Sequence, residues 1–159
     1  MTDDIPPVLD LRNHKVLVTG AGGFLGRHVL VDLERAGVTT VVPVTRERCD
    51  LADARAVAEL ISSEQPEVII HLAAAQGGVA WQKAHQATAY LDNARMMDNL
   101  VTAAIACRIR RFVFAASSIC YPADATCPYR EHDLWTGPPE PAHWGYAQAK
   151  RGGIALLRA

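Results

Sequence analysis

A chain of 159 residues, of which half are apolar and 21% are charged, has the composition of about one soluble globular domain. Its formal net charge of −1 provides no attraction to nucleic acid or to an anionic membrane surface, so neither is expected as a partner. No apolar run approaches the ~20 residues that a membrane-spanning helix needs.

The first residues are expected to form a loose lead-in (1–14) ahead of a single domain (15–159), because Pro6 and Pro7 stop any helix there. Met1–Pro7 lacks the basic stretch followed by an apolar one that marks a secretory signal, so the expected location is the cytoplasm. The cysteines show no CxxC spacing and no nearby histidine pair. They are expected to be free thiols, with no structural metal, at positions Cys49, Cys107, Cys120 and Cys127.

The first regular elements flank a glycine turn. Lys15–Thr19 reads as a buried parallel strand. The apolar spacing then becomes helical, at Leu25, Val29, Leu33 and Ala36. Gly20 permits a tight turn, Gly23 lets a phosphate approach the backbone, and Gly26 allows close packing of helix on strand. The pattern favours dinucleotide binding, with a structural glycine turn as the alternative.

The second strand is predicted over Thr39–Val44 and is expected at the sheet edge, because Pro43 cannot donate a ladder hydrogen bond. Arg46 follows it about 20 residues after the glycine turn, where an arginine suits the 2′-phosphate of NADP and an acidic residue suits the ribose of NAD. With Arg48 as its neighbour, Arg46 favours NADP. The alternative is that both arginines belong to a solvated loop, with Glu47 between them.

Further strands and helices alternate along the chain. After Asp50 and Leu51, a helix is predicted over Ala54–Ser63 and a buried strand over Val68–Leu72. The small residues of Ala73–Gly78 leave room for a ligand at the end of that strand. A long helix with a core-facing stripe is then predicted from its apolar positions, which are Tyr90, Ala94, Met97, Val101, Ala104 and Ile105.

The last part of the chain contains a fourth strand, Phe112–Ala116, a proline-rich loop, Pro122–Pro141, and a helix, Trp144–Ala159. The loop is long enough to be functional. Alternating strands and helices predict a doubly wound α/β fold with a parallel sheet.

Two residues of the last helix carry the expected chemistry. Tyr146 and Lys150 are four residues apart and therefore share one helix face. An ammonium group beside a phenol favours the phenolate, so we expect Lys150 to lower the pKa of Tyr146. A hydroxyl of Ser117 or Ser118, at the end of the fourth strand, is expected to bind the same substrate oxygen.

These motifs together resemble the extended short-chain dehydrogenase/reductases. The resemblance rests on the glycine turn Thr19–Gly26, the strand end His71–Ala74, the Ser117-Ser118 pair, and Tyr146 with Lys150. Within that group the sequence is most similar to the GDP-L-fucose synthases, NADPH-dependent 3,5-epimerase/4-reductases of a GDP-4-keto-6-deoxy sugar. The narrower resemblance rests on Ala73–Val79, Ser117–Pro122 and Glu131–Pro141.

The resemblance implies a role for each matching residue. The residues that it implies for NADP are Gly20, Gly23, Phe24, Leu25 and Gly26 at the pyrophosphate and adjacent ribose, Arg46 at the 2′-phosphate, Asp50 and Leu51 by the adenine, Ala73 at the strand end, and Lys150 at the nicotinamide ribose. It also implies that Tyr146 protonates the C4 oxygen as hydride arrives, and that Ser117 orients the keto oxygen.

The sequence departs from the family pattern at the cysteine that moves protons at C3 and C5. Ile119 occupies that position, and the cysteine follows one residue later as Cys120. A carbon acid needs a base within hydrogen-bond reach, and isoleucine cannot serve. Cys120 takes over this role only if the loop is rearranged.

The sequence is also shorter than the family pattern and stops inside the helix of Tyr146 and Lys150, without the substrate-binding domain. The fourth strand is left with an open apolar edge, which predicts a homo-oligomer or a complementing polypeptide. The expected function is a nucleotide-sugar epimerase/reductase acting as part of such an assembly. The alternatives are an NADP-binding or interaction module without turnover, a related enzyme for another nucleotide sugar, and a chain that is part of a longer protein.

Overall fold

A computed structural model describes residues 9–159 of the protein. Within these residues, four β-strands and five α-helices follow one another, with a helix or a helix pair between successive strands. Their bounds are β1 Val16–Thr19, α1 Phe24–Arg35, β2 Val41–Val44, α2 Ala54–Glu64, β3 Val68–His71, α3 Val79–Ala84, α4 Gln86–Ala106, β4 Arg111–Phe114 and α5 Trp144–Arg158. The predicted α/β fold with a parallel sheet is therefore confirmed.

The strand order β2-β1-β3-β4 places a switch point between β1 and β3, because the chain leaves β1 in one direction and returns on its other side. Ligands of such sheets bind outside the carboxyl ends of the strands at this point. Pro43 pairs with Val18 in register and lies in β2 at the edge of the sheet, as predicted. The opposite edge is β4, whose Val113 is 45% exposed.

Apolar side chains cover both faces of the sheet. On one face Leu17 and Ile69 pack with α2 and α4, through Val57, Ile61 and Leu100. The other face packs against α1, with Val16, Val18, Val68 and Leu33 in its core. A strand that is buried on both faces has apolar residues at successive positions. This is why the central strands could be predicted from their apolar runs in the sequence.

Several elements differ from the sequence expectation. Pro6 and Pro7 lie outside the described residues, but the end of the expected loose lead-in is ordered: Leu11–Asn13 form a 3-10 helix capped by Asp10, and Leu11 packs against the core. The short helix α3 was not predicted, since the small residues before it carry no helical period. The proline-rich loop contains a 3-10 helix at Glu131–Trp135. In the part of the chain described, no helix is both long and apolar enough to cross a bilayer.

Candidate functional site

The glycine turn after β1 forms a narrow cradle against the end of β3. Gly20 has φ +68°, and a Cβ atom there would lie 2.7 Å from the backbone nitrogen of Ala73. A Cβ atom on Gly26 would overlap the carbonyl group of Gly20. Gly23 is the N-cap of α1 and has no side chain with which to satisfy the first N–H groups of the helix. These N–H groups and the helix dipole can therefore receive an anion.

A buried hydrogen-bonded pair supports the floor of this cradle. The Thr19 hydroxyl accepts hydrogen bonds from the backbone nitrogens of Leu72 (3.2 Å) and Ala73 (3.3 Å) and lies 2.7 Å from Nδ1 of His71. Because the hydroxyl oxygen already accepts two hydrogen bonds, its contact with Nδ1 must use the hydroxyl proton. The Thr19 hydroxyl therefore donates, and Nδ1 of His71 accepts. Burial lowers the pKa of His71 to about 3, and the charge of Lys150 acts in the same direction. The neutral His71 imidazole accordingly fixes the Thr19 hydroxyl by accepting its proton. This hydroxyl in turn holds the backbone of Ala73 next to Gly20.

The loop after β2 separates the roles of its two arginines. Arg46 is exposed and lines the cleft. Arg48 instead donates to the carbonyl of Pro43 at 3.0 Å and forms an ion pair with Glu64 on α2. Glu47 hydrogen-bonds to Thr45, which holds the pKa of its carboxyl below the usual value. Of the two arginines, Arg46 is therefore the one that a ligand in the cleft could contact.

Tyr146 and Lys150 lie on the inner face of α5 and both line the cleft, with exposures of 6% and 3%. The Lys150 ammonium donates to the carbonyl of Ala115 at 2.9 Å and lies 4.5 Å from the centre of the Phe114 ring. Burial lowers the pKa of Lys150 to about 8.

The expected lowering of the Tyr146 pKa is not found in this arrangement. Burial, and then the thiol of Cys120, raise the pKa of Tyr146 instead. The Lys150 ammonium lies 5.6 Å from the centre of the phenol ring and donates to a backbone carbonyl instead. The phenol is therefore protonated at neutral pH and has a proton that it could donate.

The two remaining predicted residues do not line the cleft. The Ser117 hydroxyl accepts from the backbone nitrogen of Ile119 and caps the 3-10 helix Ser118–Cys120. Cys120 is fully buried, with its Sγ 3.8 Å from the carbonyl of Ala147, and burial raises the pKa of its thiol. Cys120 therefore has no exposed atom with which to reach a substrate. It stands one residue after the position of the family cysteine, and at this position its side chain is directed into the core beneath α5.

The cleft itself has a volume of about 860 Å³ and runs from the loop after β2, across the glycine turn, to α5. All the residues predicted to bind the cofactor line it, together with Tyr146. Two further residues, which were not predicted from the sequence, line the cleft from α4: Asp92 and Met96. Their i, i+4 spacing could have indicated a shared face directed at the cleft. Gln76 lines it too, within a segment that was predicted to border a ligand.

The chain is similar to known proteins along most of its length. The chain is 38% identical over 149 residues to a putative GDP-L-fucose synthase 2 of Oryza sativa subsp. japonica, covering 93% of this chain and 43% of the relative. It is 32% identical over 145 residues to the GDP-L-fucose synthase of Azorhizobium caulinodans, with 91% and 46% covered. The chain thus spans less than half the length of these relatives.

A solved structure, the GDP-mannoheptose C4 reductase from Campylobacter jejuni with NADP bound, superimposes with a TM-score of 0.87 at 27% identity, covering 91% of this chain and 46% of that one. The family model described as NAD dependent epimerase/dehydratase matches residues 16–159, from the first residue of β1 onward. The chain belongs to the NAD dependent epimerase/dehydratase family.

Proposed function

We propose that this chain is the NADP-binding part of a nucleotide-sugar epimerase/reductase that resembles GDP-L-fucose synthase. The observation that carries the proposal is the continuity of one cleft, which joins the glycine turn, Arg46 and the pair Tyr146 and Lys150. A pyrophosphate would lie at the N-terminus of α1, and the 2′-phosphate would lie at Arg46. The nicotinamide would then extend toward Tyr146.

The residues present fit this cofactor, because the glycines let the turn pack tightly against the backbone of Ala73 and leave the first N–H groups of α1 uncapped and open to a phosphate. When bound, NADPH supplies the hydride for carbonyl reduction. Tyr146, protonated at neutral pH, donates its proton to the C4 oxygen of the keto sugar. Lys150, held by the Ala115 carbonyl, binds the ribose hydroxyls and keeps a positive charge beside the phenolate that remains.

The proposed substrate is a GDP-4-keto-6-deoxy sugar, since the fucose synthases of Oryza sativa and Azorhizobium caulinodans are similar to the chain along 91–93% of its length. We further propose that turnover requires assembly with a second copy or with a complementing polypeptide. The exposed apolar edge of β4 supports this part of the proposal.

A reductase without epimerase activity is the second candidate, and the burial of Cys120 favours it. Isoleucine at position 119 cannot move a proton, and the thiol of Cys120 packs against Ala147. The similar structure from Campylobacter jejuni is described as a C4 reductase. Proton exchange at C3 and C5 of the keto sugar, followed in D₂O by mass spectrometry, separates the candidates: incorporation of deuterium at these carbons faster than in a sample without the protein requires epimerase chemistry.

The first test is cofactor binding, followed by the rise in NADPH fluorescence on titration with the chain. We expect NADPH to bind at least about tenfold more tightly than NADH, because a charge-assisted contact is worth about 1.5–3 kcal/mol. The Arg46→Ala variant should lose this preference. Arg48→Ala is the matched control and should keep it, since Arg48 is engaged by Glu64.

Equal affinity for NADPH and NADH, or an unchanged preference in Arg46→Ala, would contradict the assignment of the 2′-phosphate site. The second measurement is the loss of NADPH absorbance with a GDP-4-keto-6-deoxy sugar. Binding of the cofactor without this loss would favour a binding module without turnover, whereas no binding of either cofactor would refute both functions.

A further inference from the structure

The start of α5, which carries Tyr146, is held by a side chain from another helix. Gln86 is the first residue of α4, and its Oε1 accepts a hydrogen bond from the backbone nitrogen of Gly145 at 2.6 Å. Its Nε2 donates to the carbonyls of Pro141 (3.0 Å) and Ala142 (2.9 Å). Both ends of one amide are thus satisfied by the turn that leads into α5.

These contacts supply what the turn lacks locally. His143 is the N-cap of α5 and its side chain makes no cap hydrogen bond in the part of the chain described. The first N–H groups of a helix have no partner within the helix, and a side-chain oxygen that accepts from one of them fixes the first turn. The oxygen of Gln86 performs this task from a position 59 residues earlier in the chain.

The backbones also meet at this point. A Cβ atom on Gly145 would overlap the carbonyl oxygen of Gln86, so the first turn of α5 lies directly against the first turn of α4. Tyr146 is the next residue and is buried in the cleft. A small rotation of this first turn would move the phenol, because its direction is set by the helix backbone one residue away.

We infer that Gln86 is a positioning residue, which orients the Tyr146 phenol by capping α5 through Gly145. The functional meaning of this role rests on the proposed function of Tyr146 as a proton donor. The amide is suited to it because it accepts from an N–H group and donates to two carbonyls at once, which neither a carboxylate nor an apolar side chain can do.

The test is an NMR titration of the chain labelled at the tyrosine Cζ atoms, with Tyr146→Phe used to assign the resonance. In Gln86→Met, which removes all three hydrogen bonds, we expect the phenol to gain access to water and to titrate at lower pH than in the wild type. In Gln86→Glu, a carboxylate can still accept from Gly145 but brings an oxygen against the carbonyls of Pro141 and Ala142, so we expect a shift in the same direction that is smaller than in Gln86→Met.

A matched control separates positioning from general loss of stability. Val57→Ala creates a cavity under α2, away from α5, and should leave the titration of Tyr146 unchanged. If Gln86→Met does not fold, Gln86→Asn, which is one methylene too short to reach, replaces it. An unchanged titration in the shortened or apolar variant, or equal changes in it and in Gln86→Glu, would overturn the inference.

This readout needs no cofactor and no substrate. Failure of NADPH to bind would therefore refute the proposed function and leave the positioning result as it stands. A normal Tyr146 titration in all variants, together with tight NADPH binding, would refute the positioning role alone.

Discussion

At the scale of single residues, burial decides the protonation states. His71 is only 2% exposed, and its Nδ1 accepts from the Thr19 hydroxyl beneath the cleft. Charging a buried imidazole costs free energy unless an acid pairs with it, which is why its pKa falls to about 3. Lys150, also buried, loses part of its affinity for protons for the same reason.

The His71 assignment predicts how stability depends on pH. The unfolded chain binds a proton at His71 below about pH 6.5, whereas the folded chain does so only near pH 3. Since the unfolded state binds more protons in this window, the free energy of unfolding should fall by several kcal/mol as the pH falls through it. Urea unfolding of the wild type and of His71→Asn between pH 4.5 and 7.5 measures this.

The His71→Asn variant should be less stable at pH 7 and should show a shallower pH dependence, since the lowered pKa values of Glu64 and Glu67 contribute equally to both proteins. His132→Gln changes a histidine whose side chain is 71% exposed and should keep the wild-type slope. Parallel slopes for wild type and His71→Asn would show that His71 is protonated in the folded state.

At the scale of elements, the packing of α4 against α5 places the last helix over β4. The glycines of α5 differ in what surrounds them. A Cβ atom on Gly145 would overlap the carbonyl oxygen of Gln86, whereas one on Gly152 would meet nothing within 4 Å. A Cβ atom on Gly153 would lie 2.9 Å from a carbon of the Phe114 ring. The close approach of the two helices therefore depends on particular glycines.

Alanine substitutions at two of these positions should have opposite effects on stability. Gly145→Ala forces the helices apart and should lower the free energy of unfolding by about 2 kcal/mol, within the usual range for overpacking. Gly152→Ala, at an exposed position inside the helix, should raise it by roughly 0.5–1 kcal/mol, since alanine is the better helix former. Denaturant unfolding of both variants measures the difference. A Gly145→Ala variant as stable as the wild type would mean that the helices are not in backbone contact.

At the scale of the whole molecule, the sheet ends in an apolar strand. β4 pairs with β3 on one side, and Val113 in it is 45% exposed. Among the described residues no strand covers its other side. Exposed apolar edges favour association with another chain, so we expect the protein to form dimers or larger assemblies.

Light scattering after size exclusion, at micromolar concentration, measures this association. Val113→Lys places a charge on the edge and should reduce the assembled fraction, because desolvating a lysine in a new strand pair is unfavourable. Val31→Lys is the control, since Val31 is 44% exposed on α1, away from this edge. A monomeric mass for the wild type would refute the prediction.

The amino-acid sequence by itself determined the features that depend on neighbouring residues. The glycine turn between β1 and α1, the edge position of Pro43 and the shared face of Tyr146 and Lys150 follow from local spacing, because φ preferences and helical periods act over a few residues.

Tertiary structure decided the rest. The ion pair of Glu64 leaves Arg46 as the arginine in the cleft, the burial under α5 removes Cys120 from it, and the amide of Gln86 caps a helix 59 residues away. Burial and long-range hydrogen bonds arise only when distant segments meet, and this is also why the direction of the Tyr146 pKa shift was predicted wrongly from its lysine neighbour alone.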